Sequence, residues 1–311
     1  MSGLQSGLNA NVVKTALDKV FKQSFDGTKH PNHVDATSEK VFKQDSIDRG
    51  AVITEIFKGT GLWGAKAENA DVPQATPRVA NQQTFTVTEF AQSVDISKNF
   101  FDDEQHSVYE KMVSDMAVTG RITRDSNAFE RWRLSFTTAL TNDGSTICAD
   151  SHTTLSGVAV DNLAAAAALS ETTLNNLIIS LVEQKAQDGS IRGNVPATLL
   201  VPPALFKKAC EITDSELRSG TGNNDMNVYS DKYGIMVATS PYLGAVNTSG
   251  SDTAYWLLSD NHSMRRWVRQ GVITDLVDYK YQRNNNYIYK GSFREVVGCE
   301  DYVGIVGSVG A

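Results

Sequence analysis

Near the start of the chain apolar residues recur at helical spacing, at Leu8, Val12, Val13, Ala16, Leu17, Val20 and Phe21. They predict a short amphipathic helix that Asp26-Gly27 ends. From Thr28 to Asp45 neither helical nor strand periodicity is visible, so this segment is expected to be an extended arm. Two stretches rich in β-branched and aromatic residues follow, AVITEIFKGTGLW from Ala51 and TFTVTEFAQSVDIS from Thr84. Their partial alternation predicts two paired strands. The segment between them, GAKAENADVPQATPRVANQQ, is too polar to form a core, which points to a long projecting hairpin. At about 3.3 Å per residue, an arm of roughly 20 residues would reach on the order of 60 Å.

Asp102-Asp103-Glu104 places negative charge where the positive end of a helix dipole would lie, and opens the longest predicted element, Phe101 to Thr138. Its apolar stripe runs through Val108, Tyr109, Met112, Val113, Met116 and Ala117. After a break expected at Gly120 it continues through Phe129, Trp132 and Phe136. Burial of Tyr109, Met112, Met116, Phe129 and Trp132 is expected to fix this helix against a sheet.

Beyond the turn signal Asn142-Asp143-Gly144 the pattern turns to mixed α and β. LSETTLNNLIISLVEQKA reads as a helix capped by Ser170, and ATLLVPPALFKKACEI as a strand that turns sharply into a helix. Pro202 and Pro203 end that strand because neither offers a backbone donor, and the second suits a first helical turn. Further strands are predicted at YGIMVATSP, AYWLLSD and MRRWVRQGVITDLVDY, with NYIYKGSFREVVGCEDYVGIVGS as a final strand pair. The polar run Ser219–Asn227 reads as an exposed loop.

A chain of 311 residues with 41% hydrophobic and 21% charged residues has the composition of a folded protein with a substantial core. Its net charge of −7 argues against a surface built to neutralise nucleic-acid phosphates. No apolar run approaches the roughly 20 residues of a membrane span. The cysteines, Cys148, Cys210 and Cys299, form neither a disulfide framework nor a paired zinc motif.

The order arm, hairpin, long helix, mixed domain and returning strands resembles the HK97-type capsid fold. The phrases ICADSHTTLSG, ATLLVPPALFKKA, YGIMVATSPYL and AYWLLSDNHSMRR, in that order, resemble those shared by a Mu-like group of phage major capsid proteins. The resemblance implies an α+β fold: an N-terminal arm at 1–49, an extended loop at 50–97, and a spine helix with peripheral domain at 98–144. An axial domain at 145–275 and returning peripheral strands at 276–311 complete it. It implies a shell subunit that assembles with itself into hexamers and pentamers, in the virion, after synthesis in the host cytoplasm. Scaffold, portal and cement or decoration proteins are the further implied partners, with packaged double-stranded DNA touched only loosely and no membrane. Scaffolding would come from a separate protein or a removed leader. An encapsulin-like shell around cargo enzymes shares the fold and is the alternative.

Candidate assembly residues follow from the same resemblance. They are Lys66 on the extended loop, Tyr109, Met112, Met116 and Trp132 on the spine helix, and Gly220, Gly222, Asn223 and Asn224 in a loop around the symmetry axis. In some HK97-type shells a loop lysine joins an asparagine of a neighbouring subunit, a pairing for which Lys66 and Asn284, Asn285 or Asn286 would be the counterparts. The arm and hairpin are expected to move most as a precursor shell expands. No cofactor or metal is expected. Cys148 and His152 have the residue types of a thiol nucleophile and its base, and are the seed of a competing hydrolase reading, but no orienting or oxyanion motif accompanies them. His30 and His33 flank a proline and read as loop residues; SGTGNN lacks the lysine of a phosphate-binding loop.

Overall fold

The computed structural model describes residues 10–27, 32–75, 77–99, 108–215, 229–278 and 286–311. The expectations for Asp102-Asp103-Glu104, for Gly220, Gly222, Asn223 and Asn224, and for Asn284 and Asn285 lie outside them. In chain order the elements are α1 (Ala10–Asp26), β1 (Lys43–Ser46), β2 (Ala51–Phe57), β3 (Val79–Thr86), β4 (Thr88–Ser97) and α2 (Val108–Arg133). Then come β5 (His152–Thr153), β6 (Ala159–Val160), β7 (Leu163–Ala164), α3 (Glu171–Val182), β8 (Pro196–Val201) and α4 (Pro203–Thr213). The chain continues through β9 (Met236–Thr239), β10 (Tyr255–Ser259), β11 (Met264–Val277), β12 (Asn286–Cys299) and β13 (Ile305–Ser308). The chain divides into two compact units: unit 1, residues 1–29, 87–126 and 268–295, and unit 2, residues 30–86, 127–267 and 296–311.

Unit 1 rests on helical spacing read correctly from the sequence. In α1 the residues Leu17, Phe21 and Phe25, four apart, are buried, and Gly27 closes the helix at φ 57, a conformation an L side chain rarely takes. Val113, Met116 and Ala117 of α2 complete the cluster around Tyr289, with Tyr109 half-buried beside them. Met112 is an exception: it is 39% exposed, because the buried face of this turn is carried by Val113 and Met116. Asp18 accepts hydrogen bonds from the hydroxyls of Thr274 (2.7 Å) and Tyr289 (2.8 Å), which tie α1 to β11 and β12.

The break expected at Gly120 does not occur. The helix runs through it, with the Phe25 ring packed alongside. A Cβ built at Gly120 would sit 3.5 Å from Phe25 Cε2, an ordinary contact, and the residue is not at positive φ. Gly120→Ala should therefore stabilise the subunit by up to about 1 kcal/mol through helix propensity alone, read as a rise in the urea midpoint with the slope unchanged.

Unit 2 is organised by a five-stranded sheet in the order β7-β13-β10-β8-β9. Strand β10 runs antiparallel to β13 and β8; β9 runs parallel to β8 and β7 parallel to β13. Both faces are covered. Leu199, Val201, Tyr255, Leu257 and Val306 point to one side, where α3 and α4 supply Leu174, Leu177, Leu181, Ala209 and Ile212. Leu200, Trp256, Leu258 and Ile305 point to the other, against Phe42, Phe129, Trp132 and Cys148. The sequence alternation in AYWLLSD thus separates two apolar layers rather than core from solvent. Ser170 caps α3 in a capping box with Thr173, and Pro203 opens α4, as the sequence suggested.

Three strand and arm expectations are corrected. The hairpin consists of β2 and β3, paired from Ala51↔Thr86 to Phe57↔Val79, a ladder only about 23 Å long at 3.3 Å per residue. It stops at Thr86 because the chain bends at 48–50, leaving no partner before Ala51; β4 pairs instead with β12, from Thr88↔Glu295 to Ser97↔Asn286. The final segment is no strand pair either: β13 crosses to lie between β7 and β10. Finally, much of the arm is core. Val34, Ala36, Val41 and Phe42 are buried in unit 2, and the arm exchanges backbone bonds with Thr239 of β9 (Val34 N–H to Thr239 O, Thr239 N–H to Asn32 O, both 2.9 Å). The lack of periodicity between Thr28 and Asp45 hid these isolated anchors.

Candidate functional site

Among the described residues three places carry the sequence-derived candidates: the hairpin, α2, and the turn that holds Cys148 and His152. The hairpin presents one buried and one open face. Thr54, Ile56 and Phe85 are buried, and the Thr54 hydroxyl donates to Asn142 Oδ1 at 3.0 Å. Ile53, Phe57 and Val79 on the other face are each more than half exposed. Beyond Phe57 the connection shows Leu62 and Trp63 to solvent, 87% and 96% exposed, with Lys66 exposed nearby. Large apolar side chains displayed so fully at the end of a projection have the character of binding anchors. The sequence reading put Trp63 at the end of its first strand, AVITEIFKGTGLW, whereas β2 ends at Phe57 and leaves Trp63 in the connection.

Of the helix candidates, Tyr109 and Met116 serve the unit 1 cluster and Trp132 the unit 2 core, where it is fully buried. These three hold α2 in place; Met112 is the exposed one of the four.

The turn after α2 is a closed polar network. Asn162 Nδ2 donates to the carbonyls of Ile147 (2.8 Å) and Ile305 (3.1 Å), and its Oδ1 accepts from Ala149 N–H (2.8 Å). With the amide so oriented, His152 Nε2 must donate to Oδ1 at 3.0 Å. His152 Nδ1 lies 2.7 Å from Asp143 Oδ2, and Asp143 Oδ1 also accepts from Ser145 N–H and the Thr141 hydroxyl. Burial alone would raise the Asp143 carboxyl; the hydrogen bonds from His152, Thr141 and Ser145 outweigh it and hold that carboxyl below its ordinary value. Both ring nitrogens therefore act as donors, and the ring stacks on Tyr302 with centroids 4.3 Å apart.

This geometry answers the nucleophile reading. Neither nitrogen of His152 is left to take a proton from a thiol, and complete burial pushes the Cys148 thiol far up, away from the reactive thiolate. His152 is a fastener: it ties the turn at Asp143 to the strand that Asn162 bonds. His33 lies tilted against Phe206 and bridges to Thr239, and among the described residues no group of His, Cys, Asp and Glu is placed to hold a metal.

The chain matches the phage capsid protein family over residues 81–308. It belongs to that family. Its fold is shared with the capsid of cyanophage P-SCSP1u (TM-score 0.57, 12% identity, covering 93% of this chain and 92% of that one). The mature capsid subunit of bacteriophage PhiM1 gives a TM-score of 0.54 at 10% identity, covering 92% and 91%. A virus-like particle from Pyrococcus furiosus gives 0.51 at 11% identity, covering 94% and 98%. At such identities these structures speak for the fold, and the family match speaks for the shell role. No curated protein matches the chain by sequence. The chain is thus a phage capsid protein with the HK97-like fold, a shell-forming structural subunit of the virion that associates with its own kind and not an enzyme.

Proposed function

We propose that this capsid protein forms the hexamers and pentamers of an icosahedral head around double-stranded DNA, with the hairpin as the element that engages a neighbouring copy. The family match over residues 81–308 carries this reading. The displayed Leu62 and Trp63 support the part given to the hairpin. Scaffold, portal and decoration proteins are its further partners, assembly takes place in the host cytoplasm, and the four shared phrases favour the Mu-like group. The loop around Gly220, Gly222, Asn223 and Asn224 lines the symmetry axis in this reading, and Lys66 lies close to the copy-to-copy contact. Net charge of −7 is compatible with a container whose wall does not hold its DNA tightly.

Electron microscopy of the purified protein, alone and with a co-expressed scaffold, tests it. Uniform shells, or rings of five and six, are the expected result; monomers under every condition overturn it. Within that experiment Trp63→Ser separates folding from assembly. At 96% exposure Trp63 contributes little to the monomer, so the unfolding free energy should stay within about 0.5 kcal/mol of the parent. An anchor worth about 2 kcal/mol would raise the concentration needed for assembly by about 30-fold.

A further inference from the structure

Unit 1 holds a cavity of about 450 Å³ lined by α1, α2, β4, β11 and β12. Two aromatic pairs belong to its wall: Phe21 and Phe25 of α1 stack with centroids 5.8 Å apart, and Phe90 and Phe293 of the sheet stack at 5.1 Å. Exposed Glu89, Gln92 and Thr123 mark its mouth. Two glycines also line it. Gly291 has a packing reason, since a Cβ there would sit 3.3 Å from Met116 Cε and 3.4 Å from Phe21. Gly120 has none: its Cβ would make only an ordinary contact with Phe25, its φ is not positive, and a glycine inside a helix is destabilising. Space kept open at the expense of helix stability points to an occupant from outside the subunit.

The described surface offers one side chain of matching form. Trp63 is its most exposed aromatic, and Leu62 is displayed beside it. A flat indole suits a slot walled by stacked rings, because aromatic pairs in offset or edge-on contact gain beyond the area they bury. The indole N–H needs an acceptor. Glu89 at the mouth presents an exposed carboxylate whose ion pair with Arg294 is loose, at 3.8 Å. Lys66, exposed and three residues along from Trp63, brings a positive charge suited to the same carboxylate.

We propose that the Trp63 indole of one copy docks in this slot on the next copy, against the Phe21–Phe25 and Phe90–Phe293 pairs. The docking rests on the shell reading above and names the surface that the hairpin engages. Knob and slot are different patches, Trp63 on unit 2 and the slot on unit 1, so the contact is head-to-tail. Contacts of that kind close into rings or run on as filaments, whereas a patch that met itself would stop at a pair. An indole buries about 150–250 Å², far below the roughly 1,200–2,000 Å² of a stable interface. The slot is therefore one anchor within a larger contact, filled in the assembled shell and not in dimers of the free subunit.

The full-length protein tests this in two ways. Copies carrying the photoreactive p-benzoylphenylalanine in place of Trp63 are assembled into shells with isotopically heavy parent copies, irradiated, and their crosslinks mapped by mass spectrometry. Crosslinks should join one copy to another and fall on peptides that hold Phe90, Gly120 or Phe293. Separately, Gly120→Leu fills the slot from the helix side. Alone it should raise the concentration needed for assembly about 30-fold, as Trp63→Ser does, and the two together should stay within about 3-fold of either one. Parent protein that forms neither shells nor rings overturns the shell reading, and this docking with it. Where parent shells form, the docking alone is overturned by crosslinks that are absent, elsewhere or within one copy, or by two effects that multiply. The crosslinks are read with the slot intact, so they decide even where Gly120→Leu folds poorly.

Discussion

His152→Ala should cost unit 2 about 3–5 kcal/mol, the usual penalty for removing one member of a buried, hydrogen-bonded charge pair. The magnitude comes from what is left behind. Asp143 would remain buried with only Thr141 and Ser145 as donors, and Asn162 would lose one hydrogen bond to its oxygen. Tyr302 would lose the ring it stacks on. The effect should appear as a large drop in the urea midpoint and a failure to assemble. Lowering the pH should mimic part of it: the depressed Asp143 carboxyl contributes stability above the ordinary carboxylate range, near 3.9, that disappears as pH falls through its folded value. A hydrolase built on Cys148 and His152 would make the opposite demand, an activity lost by a protein that stays folded. A His152→Ala subunit as stable as the parent would refute the fastener role.

Trp132→Ala should be as severe, about 3–5 kcal/mol for an aromatic side chain deleted from a packed core. Trp132 is fully buried, edge-on to Trp256 at 6.0 Å and tilted against Phe42 at 6.4 Å, so its removal opens the layer that also receives the arm. The neighbours are pinned by their own bonds, Trp256 by Nε1–H to the Ser135 hydroxyl at 2.9 Å, and cannot collapse far into the gap. Trp132→Phe should cost less than about 1.5 kcal/mol, since it keeps a ring in place and removes an indole N–H that has no hydrogen-bond acceptor among the described residues. Denaturant unfolding of the two variants, side by side, distinguishes a packing role from a polar one.

Local signals were legible in the sequence and pairings were not. Leu17 and Phe21 announce α1 by spacing alone, Ser170 marks the start of α3, and Pro202-Pro203 marks the corner into α4, because each of these effects acts within a turn or two of chain. Strand partners depend on residues far away. Nothing within TFTVTEFAQSVDIS says that its halves separate at Val87, with β3 facing β2 and β4 facing β12. Likewise Val41 and Phe42 look like stray apolar residues in a polar arm until β10 and α2 supply the surface they fill. At the candidate site, Cys148 and His152 drew attention by residue type, but the direction of the His152 hydrogen bonds was decided by Asp143 and Asn162, nine and ten residues away. Four ordered phrases carried the shell reading further than any single residue.

The place of β13 within the sheet has a consequence for the timing of synthesis. This strand is made after every other strand of the sheet, yet it lies between β7 and β10. Until residues 305–308 leave the ribosome, β7 has no neighbour, the β10 edge is open, and Ile305 and Val306 are missing from the two apolar layers. Asn162 also lacks the Ile305 carbonyl that its amide holds. A growing chain, or one broken off early, therefore lacks the finished unit 2 and has no complete surface to offer another copy. For a shell subunit, the order of manufacture is then expected to act as an inspection step, with chains broken off before this strand left out of the shell.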